Sequence, residues 1–415
     1  MTSFTVLATG SRGDVQPFVA LAYALQQAGH AVRVVTNAHF EAWVCNYGLA
    51  VRTVQWDAQA SLQSQRGQEM VQSGGLLDGL RYAFQESPRI FAGVQEESWQ
   101  ACRDTERLIY SLLSPWGQPI AEKLGIPAWI GVLHPMIPTR AFPTQLAPRD
   151  LGRFNRTSHV LGEWGFWLIL RPAFNRFRRT LGLAPIRFPH TVFDAIRRQG
   201  SPWLCSLSPS VLPHPADWPE NVHMAGYWFL PPPPAWTPSP ELVAFLDSGP
   251  PPVYVGFGSM ANQDAGTVTA QVVEALHQAG RRGILSRGWG TLDVSAKGDA
   301  GIFTLDDAPH AWLFPQMAAV VHHGGAGTTA AGLRAGVPQV IVPHMQDQPY
   351  WGQQVYRLGV GPKPIPRRKL HAALLTDAIR AAAGDAVRRR AVALGEKIRG
   401  EDGVGRAIQI ITGTA

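Results

Sequence analysis

The run Ala319-Val-Val-His-His-Gly-Gly-Ala-Gly-Thr-Thr-Ala330 combines the residue types that hold a phosphate. An apolar strand leads into a glycine-rich turn and then a helix, whose unpaired N–H groups and positive end attract anions. Gly324, Gly325 and Gly327 let oxygens come close, Thr328 and Thr329 add hydroxyl donors, and His323 can donate to the same oxygens. A glycine turn can serve tight packing alone, but packing asks for neither two histidines nor paired threonines. Gly325-x-Gly327-x-x-Ala330 also matches the dinucleotide fingerprint, with the acid Asp347 about 20 residues on, so a nicotinamide oxidoreductase is a rival from another class. That fingerprint normally opens its domain, whereas here several strands and helices precede it. No Gly-Lys-Ser/Thr of a P-loop occurs.

Downstream, Val342-Pro-His-Met-Gln-Asp-Gln-Pro-Tyr-Trp351 sets Asp347 beside Gln348 at a strand-to-helix turn. An acceptor next to a donor suits the vicinal hydroxyls of a sugar. By itself Asp347 is equally readable as a helix N-cap. One strand–helix unit after a phosphate loop, the sugar reading gains.

The elements that must position these turns alternate strand and helix. In the first 132 residues, Phe4–Ala8 reads as a strand, Pro17 as the opening of a helix to Ala28, and Ala31–Thr36 as a strand. His39–Tyr47 and 114–125 read as helices and Ala128–Val132 as a strand. Prolines 213 to 240 then suggest a stiff connector. A second alternating series follows: strand Val253–Phe257, helix Ala265–Gln278, strands Gly283–Ser286 and Ala319–His322, helix Thr328–Ala335 and strand Gln339–Val342. The expected fold class is α/β, with two doubly wound parallel-sheet, Rossmann-like domains facing across a cleft, ligands at the carboxyl ends of the strands. The expected layout is an N-terminal domain over 1–225, a proline-rich linker over 226–250, a C-terminal domain over 251–395, and a terminal helix in 396–415 packing back on the first domain.

Composition narrows the classes. The chain has 415 residues, 45% hydrophobic and 16% charged, enough apolar material for two or three cores at about 150 residues per domain. No apolar run reaches a membrane span of about 18 residues and no signal peptide opens the chain, so the expected location is the cytoplasm. Cys45, Cys102 and Cys205 lie far apart, which argues against disulfide frameworks and cysteine zinc sites. Net charge is +7, but 11 Arg against Asp150, Glu163 and Asp194 between Arg140 and Gly200 concentrate it in one segment. That segment wants an acidic or interfacial partner. Nucleic acid is not expected, because no binding motif or interleaved stacking surface occurs.

The chemical turns, taken together, resemble those of the two-Rossmann-domain, B-fold glycosyltransferases of the UDP-glycosyltransferase superfamily. The nearest groups are the bacterial glycopeptide-type natural-product enzymes and the sterol glucosyltransferases. The matching pieces are Gly10-Ser-Arg-Gly-Asp-Val-Gln-Pro17, Pro251-Pro-Val-Tyr-Val-Gly-Phe-Gly-Ser259, His322 to Thr329, Asp347-Gln348 and Leu358-Gly-Val-Gly361, in order over nearly the full length. The resemblance implies that His323, Gly325, Gly327 and Thr328 hold the donor diphosphate, with Ser259 and Ser11 adding contacts, and that Asp347 and Gln348 hold the donor sugar. It implies no metal and no cofactor: helix dipoles and side-chain donors stabilise the departing diphosphate of the co-substrate, UDP-glucose. Asp14, where plant relatives carry His, is implied as the general base that deprotonates an acceptor hydroxyl, inverting the anomeric centre. The plant tryptophan that stacks on uracil has no counterpart in Leu305-Asp-Asp-Ala-Pro-His310; Trp289 is a substitute, and the choice of uridine or thymidine stays open.

The expected reaction is hexose transfer to a lipophilic hydroxyl, a sterol or terpenoid. A dTDP-sugar enzyme for a polyketide or peptide is the same-class alternative, and a sugar-nucleotide epimerase the different-class one. His134, Met136, Trp164 and Trp167 are candidates for the acceptor pocket. The basic, aromatic stretch 153–179 reads either as a core-packed helix with a solvated Arg edge or as a peripheral membrane contact.

Overall fold

The computed structural model describes residues 2–55, 91, 93–147, 150–258, 265–287, 301–345 and 347–413. The chain divides into two compact units, one of Met1–Leu230 with Asp402–Ala415, the other of Pro231–Glu401.

The first unit is built on a seven-stranded sheet in the order β3-β2-β1-β4-β5-β6-β7, every pairing parallel. Its strands are β1 (Ser3–Leu7), β2 (Ala31–Asn37), β3 (Ala50–Val54), β4 (Leu108–Ser111), β5 (Ala128–Val132), β6 (Trp203–Cys205) and β7 (Val222–Met224). Both β4 and β5 are buried along their whole length, as parallel strands covered on two faces must be. Helix α1 (Arg12–Gln27) lays Val15, Phe18, Val19 and Ala22 on the β1 face, sharing a core with Ala407 and Ile411 from the last helix. Gly131 on β5 has no side chain where the Phe18 ring lies, and that ring packs edge-on against Trp228 at 5.6 Å.

The second unit carries β8 (Val253–Gly256), β9 (Gly283–Ser286), β10 (Ile302–Leu305), β11 (Ala319–His322) and β12 (Gln339–Ile341) in the parallel order β10-β9-β8-β11-β12. Strand periodicity separates its two cores. Val253, Val255, Ala319 and Val321 belong to one, while Tyr254 and Val320 belong to the other. Both sheets reverse strand order once, between β1 and β4 and between β8 and β11, where doubly wound sheets place their ligands.

Several element boundaries differ from the sequence reading. Helix α1 begins at Arg12, not Pro17, because Ser11 and Asp14 form a capping box that starts the helix earlier. Pro17 sits inside the helix, where its missing N–H frees only the carbonyl of exposed Gly13. Ser114 does not cap the following helix, Gly117–Leu124; its hydroxyl reaches the Thr9 N–H at 3.2 Å and the Thr9 hydroxyl at 3.0 Å. The proline-rich stretch is more than connector. Ser239 caps a helix over Pro240–Asp247, whose Leu242 is buried with Tyr254 and Ile284 of the second unit.

Candidate functional site

In the first unit, Asp14 sits in the turn that leaves β1. Its Oδ2 accepts from the Ser11 N–H and the Ser11 hydroxyl, both at 2.8 Å. Gly10 precedes this box with φ of +135° and donates its N–H to Asn37 Oδ1 at 2.9 Å. A Cβ on Gly10 would fall 2.7 Å from the Asp14 Oδ2, so the glycine makes room for the carboxylate. Gly10→Ala should therefore cost about 1–3 kcal/mol in backbone strain and displace Asp14. A denaturation midpoint equal to wild type would contradict this.

In the second unit, the turn after β11 gives its two histidines different duties. His322 is fully buried; its Nε2 pairs with Gln339 Oε1 at 2.7 Å and its Nδ1 accepts from the Gly324 N–H at 3.1 Å. An amide oxygen can only accept, so the proton lies on Nε2, and burial pushes this imidazole down to about 3. His322 is a strut for the turn. His323 is otherwise placed: a Cβ on Gly258 would fall 2.8 Å from its Cε1, and one on Gly325 would fall 2.6 Å from its Nε2. Two glycines thus clamp the ring, whose Nδ1 is buried without a hydrogen-bond partner. Burial lowers this imidazole to about 4, against the pull of Asp347. Gly325 then caps helix α2 (Ala326–Ala335), with Thr328 half-buried and Gly327 exposed in its first turn. The helix begins two residues before the expected Thr328.

The turn after β12 abuts this one. Gly324, at φ of +90°, leaves space that a Cβ would fill 2.7 Å from Ile341 Cγ2 and 3.0 Å from the Gln348 carbonyl. Asp347 stands at the N-cap of helix α3 (Gln348–Arg357), 8% exposed, yet its side chain makes no cap bond; Oδ2 accepts from the Trp351 indole at 2.9 Å. Gln348 Oε1 accepts from the N–H groups of His344 and Met345, at 2.7 and 3.0 Å. His344 donates from Nδ1 to the Val342 carbonyl at 2.9 Å, which leaves Nε2 as an acceptor that is buried and unpartnered. Burial holds it neutral, at about 3.

The structure therefore brings His323, Gly325, Thr328, Asp347 and Gln348 to the carboxyl end of one sheet, and Ser11 and Asp14 to that of the other. Ser259 and Trp289 lie outside the described residues, as does the start of the turn after β8 beyond Gly258. His134 and Met136 are half-buried just past β5, at the same sheet end as Asp14. Trp164 is half-buried with its ring 5.8 Å from Phe188, whereas Trp167 is 1% exposed and packs edge-on against Phe174. Sequence reasoning missed His344, Gln339 and Trp351. Proximity of His344 to Asp347 in the chain was the one available signal.

Residues 4–143 match the glycosyltransferase family 28 N-terminal domain, and residues 293–401 match the erythromycin biosynthesis protein CIII-like C-terminal domain. The chain is 36% identical over 98% of its length to a sterol 3-beta-glucosyltransferase of Cryptococcus neoformans var. neoformans serotype D, covering 27% of that protein. It is 35% identical over 97% of its length to a sterol 3-beta-glucosyltransferase of Arabidopsis thaliana, covering 66% of it. It thus spans about a quarter of the fungal relative. The crystal structure of the glycotransferase of kitacinnamycin matches in fold, with a TM-score of 0.72 at 20% identity over 99% of this chain and 98% of that one.

Proposed function

Because the chain belongs to the two-Rossmann-domain glycosyltransferases, the superfamily of its sterol glucosyltransferase relatives, we propose that it is a metal-independent, inverting glucosyltransferase acting on a sterol hydroxyl with UDP-glucose. Asp14 takes the proton from the acceptor hydroxyl as that oxygen bonds to the anomeric carbon. The bond from that carbon to the diphosphate breaks, and the UDP leaves with the electron pair. The N-terminus of α2, Thr328 and His323 meet the negative charge that develops on it. Asp347 and Gln348 hold the sugar hydroxyls, and His344 Nε2, an acceptor without a donor, receives a further hydroxyl.

The observation that carries this reading is the buried, unpartnered Nδ1 of His323 beside a helix N-terminus, in a turn packed against the one that holds Asp347 and Gln348. A polar nitrogen buried this way is costly unless a ligand completes it. The relatives' names point to the sterol acceptor. The protein works from the cytoplasm, in peripheral contact with a membrane through residues 153–179.

The test is incubation with UDP-glucose, and separately dTDP-glucose, against a panel of sterols and other lipophilic alcohols, with products read by mass. A sterol carrying one hexose, formed with UDP-glucose, is expected. Transfer only from dTDP-glucose to polyketide or peptide acceptors would favour the alternative, and an epimerised sugar nucleotide without acceptor would remove transfer altogether. Within this scheme Asp347→Ala should abolish transfer and spare UDP affinity. It should also cost about 1–3 kcal/mol, because the buried Trp351 indole N–H loses its acceptor. Loss of UDP affinity in the same degree would assign Asp347 a structural role instead.

A further inference from the structure

We propose that Trp351 is a positioning residue for the donor sugar: its indole N–H holds the Asp347 carboxylate off its own helix end and sets it for the sugar hydroxyls. This rests on the reading above that Asp347 takes the sugar, and adds the group that orients it for that task.

An aspartate at a helix N-cap ordinarily gives its side chain to the helix. Asp402 does so before the last helix, accepting from the Gly405 N–H at 2.9 Å. Asp347 holds the same position before α3 and makes no cap bond. Two features of the chain account for the difference. The Asp347 backbone is helical, with φ of −78° and ψ of −11°, whereas capping residues depart from helical angles; Asp402 has ψ of +73°. Pro349, second in the helix, has no N–H, which removes one of the two usual cap donors.

The indole decides where the carboxylate goes instead. The Trp351 backbone N–H bonds the Asp347 carbonyl at 3.1 Å, so the two residues stand one turn apart on one face of the helix. Trp351 is 1% exposed, and a buried indole N–H needs an acceptor, which Asp347 Oδ2 supplies at 2.9 Å. Burial and the edge-on Tyr350 ring at 5.4 Å fix the indole, and through it the carboxylate. A carboxylate has about four acceptor sites, so one bond orients it without using it up. Burial lowers the His323 imidazole and the Asp347 charge opposes it, so the carboxylate is held within electrostatic reach of the phosphate turn. A sugar hydroxyl bonds only a carboxylate turned toward it, and apparent affinity falls with the fraction of molecules so turned.

The experiment is calorimetric titration of UDP and of UDP-glucose, without acceptor, and the readout is the ratio of the two affinities. Trp351→Phe keeps a ring and removes the donor. Trp351→His loses the six-membered ring but keeps an N–H, at Nε2, in the place of the indole Nε1. Trp351→Phe should keep UDP affinity and lose about tenfold in UDP-glucose affinity. Asp347→Ala should lose as much, and the two changes combined no more than either alone, since both break one interaction. Trp351→His should hold the ratio near that of wild type although its thermal midpoint falls furthest, because it leaves the larger cavity. A wild-type ratio in Trp351→Phe would overturn the proposal. So would a ratio that follows the thermal midpoint, with Trp351→His worst, since Trp351 would then act through packing alone. Should Trp351→Phe not fold, benzothienylalanine at position 351, the same shape with sulfur in place of the N–H, carries the same expectation. An unchanged ratio in Asp347→Ala would strike the sugar contact itself and the proposal with it. A tenfold loss there beside a wild-type ratio in Trp351→Phe would strike the role of Trp351 alone.

Discussion

Asp14→Asn is expected to give a folded protein that binds UDP normally and transfers glucose at least about a hundredfold more slowly. Both bonds from Ser11 land on one carboxylate oxygen, Oδ2. An asparagine carbonyl placed there keeps the capping box, while the other side-chain position becomes an amide that cannot take a proton. The helix loses one favourable charge in its first turn, about 0.3–1 kcal/mol. A small fall in thermal midpoint, unchanged UDP affinity and a collapse in turnover, measured on one preparation, form the expected pattern. Turnover within a few-fold of wild type would make Asp14 a capping residue only, and His134, half-buried past β5, would be the next base to examine.

The two neighbouring histidines should fail in opposite ways. His322→Ala strips partners from Gln339 and from the Gly324 N–H and leaves a cavity beside β12, together about 3–5 kcal/mol of stability. His323→Ala deletes a ring whose Nδ1 has no partner, so it should lose packing against Gly258 and Gly325 but no hydrogen bond from Nδ1, and cost less stability than His322→Ala. It should weaken UDP binding by about 10–100-fold, the scale of one hydrogen bond to a charged group. Chemical denaturation and calorimetric titration of UDP separate the two. Equal UDP affinity in His323→Ala and wild type would mean that the ring does not touch phosphate. The same burial predicts a pH dependence. His322, His323 and His344 titrate near 3, 4 and 3 in the fold but near 6.5 when unfolded. Between those values the unfolded chain binds more protons, so stability should fall as pH drops below about 6.5 and continue falling to about 4 for His323 and 3 for the others. His323→Ala should remove part of that slope.

Much of this was legible where a local signal and the tertiary demand agree. Strand β5 over Ala128–Val132 and the helix Ala265–Gln278 were read to the residue, because glycine and proline bound them and nothing competes. The start of α1 differs from the sequence reading because Pro17 is a strong opening signal, while the Ser-x-x-Asp box at Ser11 and Asp14 opens the helix five residues earlier. The strand, glycine turn and helix around Gly324 and Gly325 were legible because the apolar run, the glycines and the threonines after them mark each element in turn. The division between His322 and His323 was not. It depends on Gln339, on the next strand, and no pattern within one segment records which side chain a neighbouring strand will present. Asp347 likewise looked like a sugar ligand or a cap, and its bond to Trp351 follows only once the helix turn is built.

The last helix, Gly403–Thr412, completes the core of the first unit with Ala407 and Ile411, although all of the second unit is encoded before it. During synthesis the ribosome must therefore add roughly 170 residues after Leu230 before the first core can close, a delay of about 10–35 s at ordinary elongation rates. Until then the outer face of α1 stays open. The order of manufacture thus makes the first unit the last to be finished, and places it in the care of whatever guards exposed apolar surface while the second unit is being made.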